Sequence, residues 1–373
     1  MLERIIVTQP FPFTMWLLMF IGILGYGLYT YTDPVYVNPT FSYSRKVPVP
    51  IMFWVTTIII AWFAGNIFAN DVYIYRLAYA NQPSNLDWSG LWKNGLGDNP
   101  LYKIVRWLFW RYITPDPTKF QLIWIGVAQI LFMTTYRRYT VSMRLTIFMF
   151  IASGLLFFTS VSWKQSMAMS IGFMMTMFAL KRKWLVYYGV LLITSTIHPY
   201  ILLYGVFPFF VSPRLWTKKS VILLVAMLGV GMMLSVVVGT ALEITQQVFG
   251  DDHEALWFSE DHGIKPERVV FYAICPVLAL IYRKRLKELA NPAMNAMIQM
   301  SVISFGFMAM SMSGGANFIS RMGNYFEPFT YVALPYILME IVPKKSRIAI
   351  LYGVITLYLI FFTFLQLKRG SIW

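Results

Sequence analysis

Long apolar runs alternate with short polar stretches along almost the whole chain. A run of about 20 apolar residues is what an α-helix needs to cross a bilayer, and the runs here predict about twelve such helices. They cover residues 12–32, 48–69, 118–136, 142–161, 163–180, 184–197, 198–212, 218–239, 268–283, 292–312, 323–342 and 346–366. The predicted fold is therefore all-α, a polytopic membrane helical bundle that forms one integral membrane domain over residues 1–373.

The stretch TSTIHPYILLYG, residues 194–205, places a histidine and a proline inside an apolar region. Proline lacks an N–H and clashes with the preceding helical turn, and an ionisable group at membrane depth is costly unless it faces a cavity or a partner. Residues 184–212 could form one kinked helix or two. Two helices are favoured because the basic loops before and after residues 184–212 must both lie in the cytoplasm. A chain that returns to the same side of the membrane crosses it an even number of times. His198 then lies at a hairpin, and Pro199 occupies the first turn of the next helix, where its missing N–H costs nothing.

Basic residues are concentrated in every second loop. Eighteen of the 31 Lys and Arg residues lie in six short loops. These loops are residues 45–46, 137–144, 181–183, 214–219, 283–287 and 344–347. Short loops rich in Lys and Arg stay in the cytoplasm, so the distribution predicts which side of the membrane each loop faces.

The remaining loops, and both termini, are predicted to face outward. Residues 70–117 form a long external loop in which LYKIVRWLFWRYI, residues 101–113, alternates basic and aromatic residues as interfacial helices do. The loop 240–267 holds seven of the sixteen acidic residues. These two external loops are expected to line an outward-facing site.

Composition narrows the class of protein. Hydrophobic residues make up 58% of the chain and charged residues only 13%, with a mean hydropathy of +0.60, whereas a soluble domain averages roughly 25% charged residues. The net charge of +15 is spread over alternate loops rather than over one face, which argues against a nucleic-acid partner. The single cysteine, Cys275, excludes a disulfide within the chain, and no zinc-type Cys/His cluster or other metal site is expected.

The predicted topology gathers polar residues on the outer face. They come from residues 70–81, from the start of the fifth span, from the hairpin and from the start of the eleventh span. The candidate site residues are Asp71, Tyr75, Arg76, Tyr79, Lys164, Gln165, His198, Arg321, Asn324 and Tyr325.

Each of these residues also has a purely structural interpretation. Aromatic residues near a span end usually belong to the interfacial belt, and Lys164 could simply extend to the membrane surface. Arg321 could anchor a helix end, His198 could cap a turn, and Asp71 could cap a helix or pair with Arg76. Glu327, placed in the first turn of the eleventh span, is expected to complement the helix N-terminus or to pair with a basic group.

Six motifs follow one another along the chain. They are NDVYIYRLAYAN (70–81), DNPLYKIV (98–105), KQSMAM (164–169), KRKW (181–184), TSTIHPYIL (194–202) and RMGNYFEPFTYVALP (321–335). In this order they resemble the EpsG family of bacterial polysaccharide biosynthesis proteins, part of the broader Wzy-like polymerases. Three positions depart from the family pattern. Lys164 stands where the family has arginine and keeps the charge without bidentate phosphate recognition, Asn99 stands where the family has glutamate, and Ile197 replaces an aromatic residue.

The resemblance implies a membrane glycosyltransferase of the GT-C type. Such a polymerase joins oligosaccharide repeat units carried on undecaprenyl diphosphate, at the outer face of the bacterial cytoplasmic membrane, to make an exopolysaccharide, a capsule or an O-antigen. Its expected partners are this lipid-linked oligosaccharide and membrane lipids, with a flippase and a chain-length regulator as further candidates. No cofactor is expected.

This chemistry assigns roles to the candidate residues. A diphosphate leaving group needs cations, and Arg321 and Lys164 are the expected ones, with Arg76 third. The acceptor hydroxyl needs a base near neutral pKa, which is His198, with Asp71 as the alternative base or its orienting partner. The expected substrate-binding residues are Arg76, Tyr75, Tyr79, Gln165, Tyr325 and Asn324.

Three other functions fit parts of the same pattern. A transporter or lipid-linked glycan flippase could have as many spans, but it needs polar groups at mid-membrane depth on both sides. A ligase or acyltransferase would share the outer-face site and differ only in its acceptor. A structural scaffold of an export complex would not need the gathered polar residues.

Overall fold

The computed structural model describes residues 51–69, 72–82, 99–219, 264–313 and 316–370, with scattered positions between 221 and 233. All regular elements in this part of the chain are helical, which confirms the all-α prediction. The chain divides into two compact units, Met1–Gly205 with Gly353–Trp373, and Val206–Tyr352. The first predicted span, most of the 218–239 span and most of the 240–267 loop lie outside the described residues.

In the first unit most helices follow the predicted spans, while two short ones lie in the predicted 70–117 loop. They are α1 (Ile51–Gly65), α2 (Val72–Ala80), α3 (Pro100–Leu108), α4 (Pro117–Tyr139), α5 (Met143–Ala152), α6 (Leu155–Val161), α7 (Trp163–Leu180) and α8 (Trp184–Ser195). A π-helical turn, Phe109–Ile113, extends α3, and a 3-10 helix, Pro199–Phe210, follows α8. The boundary between the two units falls within this 3-10 helix. Separate helices on both sides of His198 confirm the two-helix interpretation of residues 184–212.

The described helices after the 3-10 helix are α9 (Pro266–Ile281), α10 (Arg283–Leu289), α11 (Pro292–Met310), α12 (Ala316–Tyr336) and α13 (Lys344–Gly370), with a π-helical turn at Ile337–Ile341. The second unit ends at Tyr352, within α13. Helices α9, α11 and α13 begin within two residues of predicted span starts, whereas α10 corresponds to no predicted span. Helix α12 begins seven residues before the predicted span at residue 323. Glu327 therefore lies in the middle of a helix, and its expected place in a first helical turn is wrong.

The predicted span 142–161 is not a straight helix. It breaks between α5 and α6, whose axes are bent by 63°. Gly154 takes a left-handed conformation there, with φ of 86°, and the Oγ atom of Ser153 accepts a hydrogen bond from the Leu155 N–H at 3.1 Å. Glycine adopts this conformation without steric cost, so the local residues explain the bend.

By length and composition, two described helices could cross a membrane, α11 and the segment Lys344–Leu365 of α13. The bent α5–α6 pair would make a third if it is one span. Helices α1 and α8 and the 3-10 helix are apolar but shorter. The chain therefore has the helices of a membrane protein, and the count of about twelve spans stays a prediction.

Helix α4 is the centre of the first unit. It packs against α1, α2 and α7, and α7 in turn packs against α8. Contact between α1 and α4 is close enough that a Cβ atom on Gly65 would lie 2.8 Å from the Leu122 Cα atom. This arrangement brings the start of α7 next to the external segment that contains α2 and α3.

The second unit is built on the α11–α12 pair, against which α9 packs. The Oγ atom of Ser304 on α11 donates to the backbone carbonyl of Gly323 on α12 at 2.9 Å. A Cβ atom on Gly323 would lie 3.3 Å from the Ser304 carbonyl oxygen. A small residue at this position therefore lets the two helix backbones approach each other.

Candidate functional site

Arg76 connects α2 to α4. Its Nε atom donates to the Gln121 Oε1 atom at 2.7 Å, and the Gln121 Nε2 atom donates to the Ile67 carbonyl at 2.6 Å. Its guanidinium carbon also lies 4.8 Å from the centre of the Phe68 ring. Only 6% of Arg76 is exposed, and this burial lowers the pKa of its guanidinium, an effect that nearby Asp116 opposes. Arg76 is thus held in place from several sides.

Tyr79, one turn further along α2, is fully buried. Its hydroxyl donates to the Thr114 carbonyl at 2.5 Å, and its ring stacks on Phe120 with centroids 4.5 Å apart. Burial raises the pKa of this phenol, with a further increase from Asp116. Tyr79 therefore connects α2 to Thr114 and to the start of α4.

Tyr75 joins an aromatic cluster at the start of α7. It is half-buried, stacks on Trp163 with centroids 5.1 Å apart, and meets the Tyr102 ring edge-on at 6.5 Å. Tyr102 meets Trp124 edge-on at 5.4 Å, and the Trp124 Nε1–H donates to the Trp163 carbonyl at 2.9 Å. We call Tyr75, Tyr102, Trp124 and Trp163 the aromatic cluster.

Three buried polar atoms in or beside this cluster have no hydrogen-bond partner among the described residues. They are the Tyr102 hydroxyl, the Trp163 Nε1 atom and the Ser166 Oγ atom. Burial also raises the pKa of the Tyr102 phenol, so its proton stays available for donation. An unmade buried hydrogen bond costs roughly 1–3 kcal/mol, so the packing leaves three costly polar atoms, of which those of Trp163 and Ser166 lie close to Lys164 in the chain.

Sequence reasoning did not select Tyr102, Trp163 or Ser166. A signal was present, since Tyr102 lies in DNPLYKIV and Trp163 directly precedes Lys164. Aromatic residues were interpreted as a membrane-interface belt, however. Only the tertiary structure connects Tyr102 to Trp163, through the rings of Tyr75 and Trp124.

Lys164 follows Trp163 and lies beside the start of α3. With the side-chain amide of Asn99 oriented to satisfy its neighbours, Asn99 accepts a hydrogen bond from the Lys164 Nζ atom at 3.2 Å. The same amide donates to the Ile197 carbonyl at 2.8 Å. Gln165, the next residue, is 3% exposed. Asn99 thus connects the cation to the residue directly before His198.

Backbone contacts also connect the start of α3 to the turn before His198. The Leu101 N–H donates to the Thr196 carbonyl at 3.1 Å, and Asn99 takes a left-handed conformation, with φ of 61°, at the start of α3. Asparagine tolerates this conformation better than most residues with a side chain. The DNPLYKIV segment is therefore fixed to the hairpin by both backbone and side-chain contacts.

His198 lies at the turn between α8 and the 3-10 helix. Its N–H donates to the Thr194 carbonyl at 3.2 Å, and its carbonyl accepts from the Ile201 N–H at 3.3 Å. Its ring meets Tyr200 edge-on, with centroids 4.9 Å apart. Pro199 is the first residue of the following helix, as the sequence predicts. His198 is half-buried, so its ring is within reach of solvent or a ligand.

A second polar cluster lies in the second unit. The Tyr272 hydroxyl on α9 donates to the Glu327 Oε2 atom at 2.6 Å and lies 3.3 Å from the Asn324 Oδ1 atom. The Tyr331 hydroxyl donates to the other carboxylate oxygen, Oε1. Glu327 is 2% exposed, so this carboxylate is enclosed by protein hydroxyls.

The other candidates on α12 differ in exposure. Arg321 is exposed, as a residue that meets a charged ligand must be. Asn324 is 3% exposed and Tyr325 is fully buried, so the Tyr325 ring forms part of the helix packing as it stands. Among the candidates of the second unit, Arg321 is the accessible one.

Asp71 lies outside the described residues, as do His253 and His262 of the acidic loop. Where the structure does describe the chain, no group of three or more His, Cys, Asp or Glu residues could hold a metal ion. The first unit thus brings together Lys164, Asn99, the hairpin of His198 and the aromatic cluster.

Comparison with known proteins gives a match that covers most of the chain. The model of the EpsG family matches residues 46–371, a range that includes every candidate site residue. This confirms the resemblance noted from the ordered motifs. No curated protein and no solved structure matches the chain significantly.

Proposed function

Because this chain belongs to the EpsG family, a Wzy-like polysaccharide polymerase family, we propose that it joins oligosaccharide repeat units carried on undecaprenyl diphosphate. The proposed fold is a GT-C-like bundle of about twelve membrane helices in the bacterial cytoplasmic membrane. The proposed site faces outward. The product is an exopolysaccharide, a capsule or an O-antigen.

The roles are assigned from one observation, the pair of hydrogen bonds that the Asn99 side chain makes to Lys164 and to Ile197. This side chain contacts a lysine cation on one side and the backbone next to a histidine on the other. A glycosyl transfer from a lipid diphosphate needs a cation for the leaving group and a base for the acceptor hydroxyl. Lys164 and His198 are residues of those two types, and they lie on segments that Asn99 connects.

In the proposed reaction, the bond between the anomeric carbon and the diphosphate oxygen breaks. A hydroxyl oxygen of the acceptor glycan forms the new glycosidic bond, and its proton passes to His198. Negative charge develops on the departing undecaprenyl diphosphate, where Lys164 is the proposed stabilising cation. The reaction as written is balanced without a redox cofactor.

The aromatic cluster supports the proposal by offering a surface for sugar rings. The Tyr75 ring is half-buried, and sugars pack their apolar faces against aromatic rings. The Tyr102 hydroxyl and Trp163 N–H are buried and partnerless among the described residues, so they would donate to sugar oxygens once the contacting Tyr75 ring moves aside. Tyr79 and Arg76 hold the segment that carries Tyr75.

The test is reconstitution of the purified full-length protein with repeat units linked to undecaprenyl diphosphate, in the presence of EDTA. A ladder of longer lipid-linked chains on a gel is the expected result. The same repeat unit on undecaprenyl monophosphate should give no ladder, because the diphosphate leaving group is missing. Absence of a ladder, with the repeat unit moved across the bilayer instead, would overturn the proposal in favour of a flippase.

Arg321→Ala tests separately the cation that the sequence predicts on α12. The expected result is loss of the ladder with normal insertion in the membrane fraction. Lys181→Ala is the matched control, since Lys181 is an exposed cation in a predicted cytoplasmic loop. A full ladder from Arg321→Ala would remove Arg321 from the candidate residues.

A further inference from the structure

A recess of about 470 Å³ lies in the second unit, where the end of α9 and the start of α10 meet the residue before α13. It is lined by Leu280, Ile281, Tyr282, Arg283, Lys284, Arg285 and Pro343. No residue of the proposed polymerase site takes part. The recess therefore needs an explanation of its own.

The recess is strongly cationic. Three of its lining residues, Arg283, Lys284 and Arg285, are consecutive cations, and none of the lining residues is acidic. Lys344 and Lys345, which follow the lining residue Pro343, are exposed. Such a concentration of positive charge attracts an anion, and arginine favours phosphate because its planar guanidinium can bind two phosphate oxygens.

The start of α13 adds to this positive potential. This helix begins at Lys344 and is 27 residues long, and Pro343, directly before it, lines the recess. The N-terminal end of a helix carries partial positive charge and favours anions. Two elements of the same unit thus present positive charge to one recess.

The surroundings of the recess are apolar and exposed. On α9, Leu280 is 47% and Ile281 62% exposed, while on α13 Ile348 is 68% and Tyr352 65% exposed. Large apolar side chains at such exposure are expected to contact lipid in a membrane protein. A water-soluble phosphate would gain nothing from them, whereas a lipid's acyl chains would.

We infer that this basic recess binds the phosphate headgroup of an anionic phospholipid whose acyl chains lie along the exposed apolar residues of α9 and α13. The sequence predicts that loops 283–287 and 344–347 are cytoplasmic, and the cytoplasmic leaflet carries anionic lipid. Basic pockets between membrane helices on that side are known lipid headgroup sites. The inference does not depend on the polymerase function.

The test measures lipid retention by the purified full-length protein. Native mass spectrometry would compare phosphatidylglycerol with phosphatidylcholine of the same acyl chains. We expect phosphatidylglycerol to bind more tightly to the wild type. Arg283→Gln/Arg285→Gln should weaken its binding roughly 30-fold, as expected for the loss of two cations at a membrane surface. Arg283→Lys/Arg285→Lys should retain most of the binding.

A matched control shows whether the effect is local. Lys218→Gln/Lys219→Gln removes two exposed cations from another predicted cytoplasmic loop, and it should change phosphatidylglycerol binding by no more than about two-fold. If this variant lost as much phosphatidylglycerol binding as the Arg283/Arg285 variant, the lipid would be held by diffuse attraction to surface charge, and the proposed site in the recess would be wrong. Equal binding of phosphatidylglycerol and phosphatidylcholine by the wild type would contradict the proposed preference for an anionic lipid.

Two further measurements use the wild type alone, so that neither depends on the folding of a variant. A photoreactive phosphatidylglycerol should crosslink to peptides that contain residues 277–289 or 343–352, and crosslinks confined to other peptides would contradict the assignment. Inorganic phosphate at millimolar concentration should not displace the lipid. Efficient displacement would identify free phosphate as the ligand.

Discussion

The side-chain oxygen of Asn99 accepts a hydrogen bond from the Lys164 Nζ atom across 3.2 Å, and the same amide donates to the carbonyl of Ile197. Three segments that are far apart in sequence meet at this amide. They are the start of α3, the start of α7 and the turn after α8. The proposed chemistry depends on this meeting, because it brings a cation next to the histidine-containing hairpin.

Lys164→Met should reduce polymer formation by about 100-fold or more, since removal of one preorganised donor to a developing charge costs that much in other enzymes. Lys164→Arg keeps the charge and should retain much of the activity. The measurement is ladder formation in the reconstituted system. Lys119→Met, which alters an exposed lysine on α4, is the control. If the methionine variant polymerises at the wild-type rate, Lys164 has no role in transfer.

His198→Ala should lower the transfer rate by roughly 10²–10⁴-fold, the usual contribution of a general base. In the wild type, the rate should rise with pH, because only the neutral imidazole accepts a proton. The residual rate of the variant should lack this rise. An identical pH profile in both proteins would assign the base to another residue.

Tyr79→Phe and Tyr102→Phe form a matched pair. Tyr79 loses a hydrogen bond to the Thr114 carbonyl, so its variant should lose about 0.5–1.5 kcal/mol of stability. The Tyr102 hydroxyl has no partner among the described residues, so its variant should keep or slightly gain stability while its transfer rate falls. Thermal unfolding and ladder formation measure the two effects. A large loss of stability in Tyr102→Phe would show that the hydroxyl has a structural role.

The raised pKa values of the Tyr79 and Tyr102 phenols determine how the free energy of unfolding should change at alkaline pH. Burial raises the pKa of both Tyr79 and Tyr102, whereas an unfolded tyrosine ionises near about pH 10. Below that pH both states are protonated, and the stabilisation is complete. Above it the unfolded state releases protons first, so stability falls as pH rises. The double phenylalanine variant should show a smaller fall in thermal unfolding temperature between about pH 9 and 11.

Glu327→Gln tests the carboxylate held by Tyr272 and Tyr331. Hydrogen bonds to a charged group contribute about 1.5–3 kcal/mol, and the variant should lose stability within that range. Combining it with Tyr272→Phe should cost less than the sum of the single changes, because both remove the same contact. Glu288→Gln, at an exposed position, should change stability by less than about 0.5 kcal/mol. Additive losses would argue against a shared contact.

Gly65→Ala should destabilise the first unit by about 1–3 kcal/mol. Its Cβ atom would lie 2.8 Å from the Leu122 Cα atom, which belongs to the backbone of α4 and cannot rotate away. Gly189→Ala is the control, because a Cβ atom there meets nothing within 4 Å. That helical position should gain about 0.5–1 kcal/mol. Equal effects in thermal unfolding would contradict the close packing of α1 against α4.

The sequence by itself determined the helical class, the position of most helices and the break before Pro199. These features are local. An apolar run of sufficient length satisfies its own backbone hydrogen bonds as a helix, and a proline marks where one cannot continue. The ordered motifs also indicated the family, because they need no knowledge of contacts.

Only the tertiary structure decided how the candidate residues are used. Arg76 binds a residue 45 positions away, and Tyr272 binds one 55 positions away. Neither partner could be identified from a local pattern. Asn99, taken from the sequence only as a departure from the family, became the centre of the candidate site. The physical reason is that helix packing, which depends on side chains from distant segments, determines which polar groups meet.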